Sequence, residues 1–265
     1  PDIGMTSSSY FLAHARLAPV QIVSWGHPET TGINTIDYFL SSENIEKSNS
    51  QQFYSEKLIT LKSLPMYFMK TPISNINNDK KYFGIEKNKN IYCCPQSLFK
   101  IHPDFDETLS KIVKKDSNSQ IVMIETNYKK HVEKIKLRWS KNNPELLNKV
   151  LFLKNLDFQN FISLINLSDV LLDPFYFGSG MSFTESMLVG TPTITMPSTF
   201  MRSRIVAGAY KQMRISAPPV ASNINDYVKT NSVKPFVHYS HVAPQNFRAA
   251  IIGGGDGGVA RECIA

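Results

Sequence analysis

The stretch Asp169-Val170-Leu171-Leu172-Asp173-Pro174-Phe175-Tyr176-Phe177-Gly178-Ser179-Gly180-Met181-Ser182-Phe183-Thr184-Glu185 decides the fold. Asp169 to Asp173 is an apolar run of strand length, stopped by a proline. A loop with two glycines follows, then a short helical segment from Ser182 to Leu188. Gly190-Thr191-Pro192 ends that helix and leads into a second strand, Thr191 to Met196. Two apolar strands joined through a helix read as a crossover, the connection that parallel strands require.

The same alternation extends upstream. Ile91 to Cys94 reads as a buried strand, and Pro103 to Lys115 as a helix with Phe105, Leu109, Ile112 and Val113 on one face. Gln120 to Glu125 is a strand, Lys129 to Ser140 a basic helix and Lys149 to Leu153 a strand. Asp157 caps a helix running through Phe158, Phe161, Ile162 and Ile165. Downstream, a helix runs from Met201 to about Met213. Continuous apolar strands alternating with helices predict an α/β domain, a doubly wound parallel sheet covered on both faces. Ligands of such sheets sit beyond the carboxyl ends of the strands, where strand order reverses. That points to the loops after Cys94 and Asp173.

The first 65 residues read as part of a second unit of the same kind, with a helix over Thr6 to Leu17 and strands at Ala18 to Val23 and Ile36 to Leu40. Residues 66–90, rich in Asn and Lys, read as a linker, and 91–230 as the C-terminal Rossmann-like domain. Residues 231–265 differ in composition. After Lys234 lysine disappears and glycine becomes abundant, with a strand at Ala249 to Ile252 and a helix start at Val259.

With 42% hydrophobic and 11% aromatic residues the 265-residue chain can bury a core, which excludes a disordered protein. The net charge of +7 is local: 20 of the 29 Lys+Arg but 13 of the 22 Asp+Glu lie between Ser41 and Asn160, leaving 9 against 9 elsewhere. Those lysines are spread over helices and loops without interleaved aromatics or a recognisable module. They read as a solvated surface, and no nucleic-acid partner is expected. No apolar run approaches the ~18 residues of a membrane span, so no membrane partner is expected either. The start, Pro1 to Met5, is not a secretory signal and does not open on Met, which reads as a fragment. Adjacent Cys93 and Cys94 with a distant Cys263 suit a reducing, cytoplasmic compartment and offer no metal-ligand spacing.

The glycine loop and the helix after it can approach an anion such as a diphosphate through backbone amides, with Gly180 at close range and the Ser182 hydroxyl adding a donor. Glu185, one turn into the helix, can accept hydrogen bonds from a ribose diol. The loop Pro95-Gln96-Ser97-Leu98-Phe99-Lys100 follows the other strand, and Lys100 can neutralise phosphate charge in the same crevice. An ordinary loop with a capping Ser fits the first spacing as well.

Taken in order, Ser24-Trp25-Gly26-His27-Pro28-Glu29-Thr30-Thr31-Gly32, Ile36-Asp37-Tyr38, Tyr54-Ser55-Glu56-Lys57-Leu58, Cys94 to Lys100, Asp173 to Pro197 and Phe200-Met201-Arg202 resemble the catalytic region of O-linked N-acetylglucosamine transferases of the bacterial tetratricopeptide-repeat-associated type. The resemblance covers roughly residues 1–230. It implies a GT-B fold, UDP-N-acetylglucosamine as donor, a protein or peptide acceptor, inversion at the sugar, and no metal or other cofactor. It places Lys100 on the donor diphosphate, Glu185 at the ribose, Ser182 and Gly180 beside the phosphates, and Gln96 and Ser97 on the uridine side. His27 falls in a motif facing the cleft. Some members carry His and Thr where this chain has Gly180 and Met181, and polar base-contacting groups where it has Phe158 and Phe161.

The expected function is transfer of N-acetylglucosamine, or a related sugar, from UDP to Ser or Thr hydroxyls, with activity lost if the family's opening strands are essential. A non-catalytic nucleotide-binding protein is the alternative. The tail from Tyr239 to Ala265 resembles the first motif of a spermidine synthase, which implies an S-adenosylmethionine-type ligand near Gly253, Gly255, Asp256 and Gly258. An aminopropyltransferase fragment is therefore the third reading.

Overall fold

Residues 3, 6–26, 28–66, 71–125 and 128–232 are described in the computed structural model. They divide into two units, one made of the residues up to 66 together with 199–218, the other of 71–198 together with 219–232.

In the first unit, helix α1 (Ser7–Ala13) precedes strands β1 (Ile22–Ser24), β2 (Tyr38–Ser42) and β3 (Lys57–Leu61). The strands form a parallel sheet in the order β1-β2-β3, with Val23 in register with Phe39 and Phe39 with Leu58. Val23 and Phe39 are buried with Trp25, Ile33, Ile36 and Ile45.

The second unit begins its sheet with β4 (Asn90–Cys94), followed by α2 (Pro103–Lys115), β5 (Ser119–Ile124), α3 (Lys129–Asn142), β6 (Val150–Leu153), α4 (Phe158–Leu167), β7 (Val170–Leu172), α5 (Met181–Val189) and β8 (Thr193–Ile194). All pairings are parallel and the order is β6-β5-β4-β7-β8. Numbered within the unit this is 3-2-1-4-5, so the order reverses between β4 and β7. Side chains along β4 alternate between two cores. Tyr92 and Cys94 join Phe105, Leu109, Ile121, Met123 and Trp139, while Ile91 and Cys93 join Val122, Leu164, Ile165 and Leu171. A strand buried on both faces has no polar side, which is why this run is apolar throughout. Asp157 caps α4 as expected, its Oδ1 accepting from the Asn160 amide at 2.8 Å.

Three expectations need correction. The helix expected from Met201 to Met213 is a single 3₁₀ turn, Met201–Ser203, and then α6 (Ile205–Gln212). These residues belong to the first unit and not to a continuous 91–230 domain: Arg204 donates to the Ile45 carbonyl at 2.6 Å, and the Leu64 amide donates to Gln212 Oε1 at 2.6 Å. Helix α7 (Ile224–Ser232) then returns to the second unit, where Tyr227 is fully buried. The 66–90 stretch is not a simple linker either, because Phe83 and Ile85 are buried in the core beneath β4 and α4. The tail motif at Gly253, Gly255, Asp256 and Gly258 lies outside the described residues, as does His27.

Candidate functional site

The reversal point of the larger sheet carries the two loops singled out by sequence, one leaving β4 and the other leaving β7. Hydrogen bonds link them. Gln96, only 5% exposed, donates from Nε2 to Ser179 Oγ at 2.9 Å and also to Ser182 Oγ. Its other amide atom, Oε1, accepts from the Lys100 ammonium at 3.0 Å, and the same ammonium donates to the Gly178 carbonyl at 3.1 Å. Lys100 also lies 4.2 Å from the centre of the Phe177 ring, a cation–π approach. Residues separated by about eighty positions in sequence are thus drawn into one cluster by the topology. Burial pushes the Lys100 ammonium below the usual lysine range, opposed by the negative charge of Asp173 and by Cys94.

Beneath the cluster lies Asp173, just past the end of β7 and 2% exposed. Its Oδ1 accepts from the Ser179 amide at 2.5 Å and its Oδ2 from the Thr195 hydroxyl at 2.7 Å. Burial still pushes this carboxyl up to about 6, against the hydrogen bonds from Thr195 and Ser179 and the charge of Lys100. Gly178 is required here: a Cβ on it would lie 2.6 Å from Asp173 Oδ2. Tyr227 donates from below to the Asp173 carbonyl at 3.1 Å and to the Ile194 carbonyl at 3.3 Å.

The loop leads into α5 through Gly180, the N-cap, which supplies no side-chain cap. The first amides of a helix lack intrahelical partners and carry the positive end of its dipole. A Cβ on Gly180 would meet nothing within 4 Å, so this position borders open space where Gly178 is packed. Ser182 stands in the first turn and Glu185 one turn on, on the same face. Glu185 is half-buried, has no hydrogen-bond or ionic partner among the described residues, and is pushed upward by burial. Ser97 is half-buried and contributes its carbonyl, which accepts from the Lys100 amide at 2.9 Å.

The structure therefore gathers Gln96, Lys100 and Ser182 by direct bonds, with Gly180 and Glu185 on the adjoining helix start. It adds Asp173, Ser179, Thr195 and Tyr227, to which sequence reading gave no role. A buried acid closing an apolar strand, Asp173 after Leu172, was the signal available for the first. Cys93 and Cys94 are free and buried, and burial pushes the Cys93 thiol up to about 12, so neither is a nucleophile here. His102 serves as the N-cap of α2, its Nδ1 accepting from the Asp104 amide at 3.2 Å.

Comparison with known proteins extends this picture. The chain is 23% identical over 219 residues to the probable UDP-N-acetylglucosamine–peptide N-acetylglucosaminyltransferase SEC of Arabidopsis thaliana, a match covering 79% of this chain and 22% of that protein. It is 21% identical over 236 residues to the UDP-glucose:protein N-beta-glucosyltransferase of Actinobacillus pleuropneumoniae serotype 5b, covering 86% of this chain and 36% of that one. The chain thus spans only about a fifth to a third of the length of these relatives. Among solved structures, a mutant of the Thermobaculum terrenum O-GlcNAc transferase superposes with a TM-score of 0.73 at 17% identity, covering 88% of this chain and 44% of that one. WaaG, a glycosyltransferase involved in lipopolysaccharide biosynthesis, gives 0.53 at 13% identity over 82% of this chain and 59% of its own. These likenesses establish the fold class, α/β of the GT-B type. The family model for glycosyl transferase family 41 matches residues 67–235, its end falling beside the change of composition at Lys234. Since that match takes in more than half of the sequence, the chain belongs to glycosyl transferase family 41.

Proposed function

We propose that the 71–198 and 219–232 unit binds the nucleotide-diphosphate part of a UDP-sugar, and that the protein transfers the sugar, N-acetylglucosamine or a close relative, to a protein Ser or Thr hydroxyl with inversion. The observation that carries this reading is the Lys100 ammonium, set between Gln96 Oε1 and the Gly178 carbonyl beside the start of α5. In the transfer, the acceptor hydroxyl oxygen forms a bond to the anomeric carbon while the bond from that carbon to the phosphate oxygen breaks. The electron pair leaves on UDP, and the hydroxyl proton passes to solvent water. Lys100, the α5 amides and the Ser182 hydroxyl are placed to stabilise that charge before it develops, which is electrostatic preorganisation. No metal is assigned a part. Glu185, with no partner among the described residues, suits the ribose diol, and Gln96 and Ser97 the uridine side.

The names of the two relatives above carry different donors, UDP-N-acetylglucosamine and UDP-glucose. The choice of the first for this chain rests on the motif resemblance. A cytoplasmic location belongs to the same proposal and is supported by the unpaired buried thiols. No role in binding nucleic acid or membrane is assigned to the Lys-rich surface. Among the described residues no helix is long and apolar enough to cross a membrane.

The test is thermal unfolding with UDP. Ligand at a hundredfold excess over its Kd stabilises by about 2.7 kcal/mol, which raises Tm by several degrees. Lys100→Ala removes the rise, and an unchanged Tm of the native protein overturns the reading. Measured beside it, UDP release from the donor with a peptide acceptor separates a transferase from a protein that binds nucleotide without turnover.

A further inference from the structure

We infer that Asp173 is a positioning residue for the donor diphosphate, because Asp173 and Lys100 hold the two ends of a single peptide group, Gly178–Ser179, and so fix the loop that feeds α5. The inference rests on the reading of this crevice as a UDP-sugar site.

The geometry is specific. The carbonyl of that peptide group accepts from Lys100 at 3.1 Å, and its N–H donates to Asp173 Oδ1 at 2.5 Å. The remaining carboxylate oxygen, Oδ2, accepts from Thr195 at 2.7 Å, just beyond β8. The main-chain carbonyl of Asp173 accepts from Tyr227 of α7 at 3.1 Å. One residue thus ties the loop to the ends of two neighbouring strands and a helix. The glycines at 178 and 180 offer no side chain for this. A Cβ on Gly178 would stand 2.6 Å from the carboxylate, so glycine is what lets the loop approach Asp173 this closely. Gln96 completes the arrangement by bonding both Ser179, just before the α5 N-cap, and Ser182, in the first turn after it.

An amide at 173 has one acceptor oxygen where the carboxylate has two, so it cannot accept from both the Ser179 amide and the Thr195 hydroxyl. The acid also contributes its charge near Lys100, which favours the ammonium form that burial disfavours. Asp173 therefore acts on the phosphate twice without touching it, by placing the loop amides and by keeping its cation charged.

The experiment compares UDP and uridine as ligands of the native protein, Asp173→Asn and Thr195→Val, by ligand-observed NMR, with amide exchange at Ser179 recorded on the same samples. Asp173→Asn should weaken UDP by about tenfold while leaving uridine within twofold, because uridine has no phosphates to be positioned. Thr195→Val should weaken UDP by about threefold. Slow exchange at Ser179 in the native protein should be lost in Asp173→Asn. Equal losses for UDP and uridine, or UDP binding unchanged in both variants, overturn the positioning role while the UDP-sugar reading survives. Native protein that binds no UDP overturns that reading. Exchange at Ser179 then decides the clamp alone, which falls if Asp173→Asn leaves the protection intact.

Discussion

Glu56 in the first unit and Asp173 in the second are both about 2% exposed, yet their carboxyls are shifted in opposite directions. At Glu56 the upward push of burial is outweighed by donors. The Thr30 hydroxyl at 2.7 Å, the Thr31 amide at 2.8 Å and the Thr31 hydroxyl all point at its carboxylate, and the carboxyl ends below its ordinary value. At Asp173 the donors are the Ser179 amide and the Thr195 hydroxyl, and burial wins, leaving the carboxyl at about 6. A well-satisfied buried acid is a staple, here tying the turn at 30–33 to the start of β3. An acid buried with fewer donors beside a lysine is held at a free-energy cost that packing alone does not require. Such groups concentrate at functional sites.

The largest effect expected from this contrast is on stability at Glu56. Glu56→Ala leaves three donors without their acceptor and should lower unfolding free energy by about 4 kcal/mol, measured by urea denaturation. The UDP dissociation constant should stay within twofold of native. A tenfold loss of UDP affinity there would break the division into staple and site.

The two acids should also give stability slopes of opposite sign with pH. The folded pKa of Asp173 is raised from 3.8 to about 6, so the folded state holds its proton more tightly than the unfolded state. Its contribution is fully present below pH 3.8 and is lost as pH rises through about 6, a change of about 3 kcal/mol. The groups facing it are Lys100, Cys94 and Tyr227, of which burial pushes the thiol and the phenol upward, away from that window. Native stability relative to Asp173→Asn should therefore fall between pH 4 and 6. Glu56 contributes the other way, its stabilisation present above 4.5 and lost as pH falls through its lowered folded value. A flat difference between native and Asp173→Asn over that range would contradict the upward shift of the Asp173 carboxyl.

The smallest stability effect belongs to Gly180→Ala. Nothing lies within 4 Å of the added methyl, and alanine is a poorer N-cap than glycine, so unfolding free energy should fall by about 1 kcal/mol at most. UDP affinity should nevertheless fall if that space belongs to the ligand. Unchanged affinity would move the diphosphate away from the α5 N-cap.

Much of the larger unit was legible in sequence because its signals are local. The helix read over Pro103 to Lys115 is α2 to the residue, and the strand after Asn90 ends at Cys94 as expected. The two loops at the reversal point followed from alternation alone. Helix α7 was missed because its apolar face is confined to Ile224, Tyr227 and Val228 in an otherwise polar segment, although all three pack on the core. The reassignment of 199–218 to the first unit, like the roles of Glu56, Asp173 and Thr195, depends on partners far apart in the chain. No periodicity encodes such pairings, and they become visible only when the strands are in register. Lys100 and Ser182 were found because a cation and a hydroxyl beside a glycine loop announce phosphate chemistry by residue type.

The most direct test of the whole account is a calorimetric titration of UDP into native protein and into Lys100→Ala. Saturable binding by the native protein, lost or weakened at least a hundredfold in Lys100→Ala with the fold intact, is the result predicted. Native protein that does not bind UDP, or a Lys100→Ala variant that binds it equally well, would contradict a diphosphate site at the ends of β4 and β7.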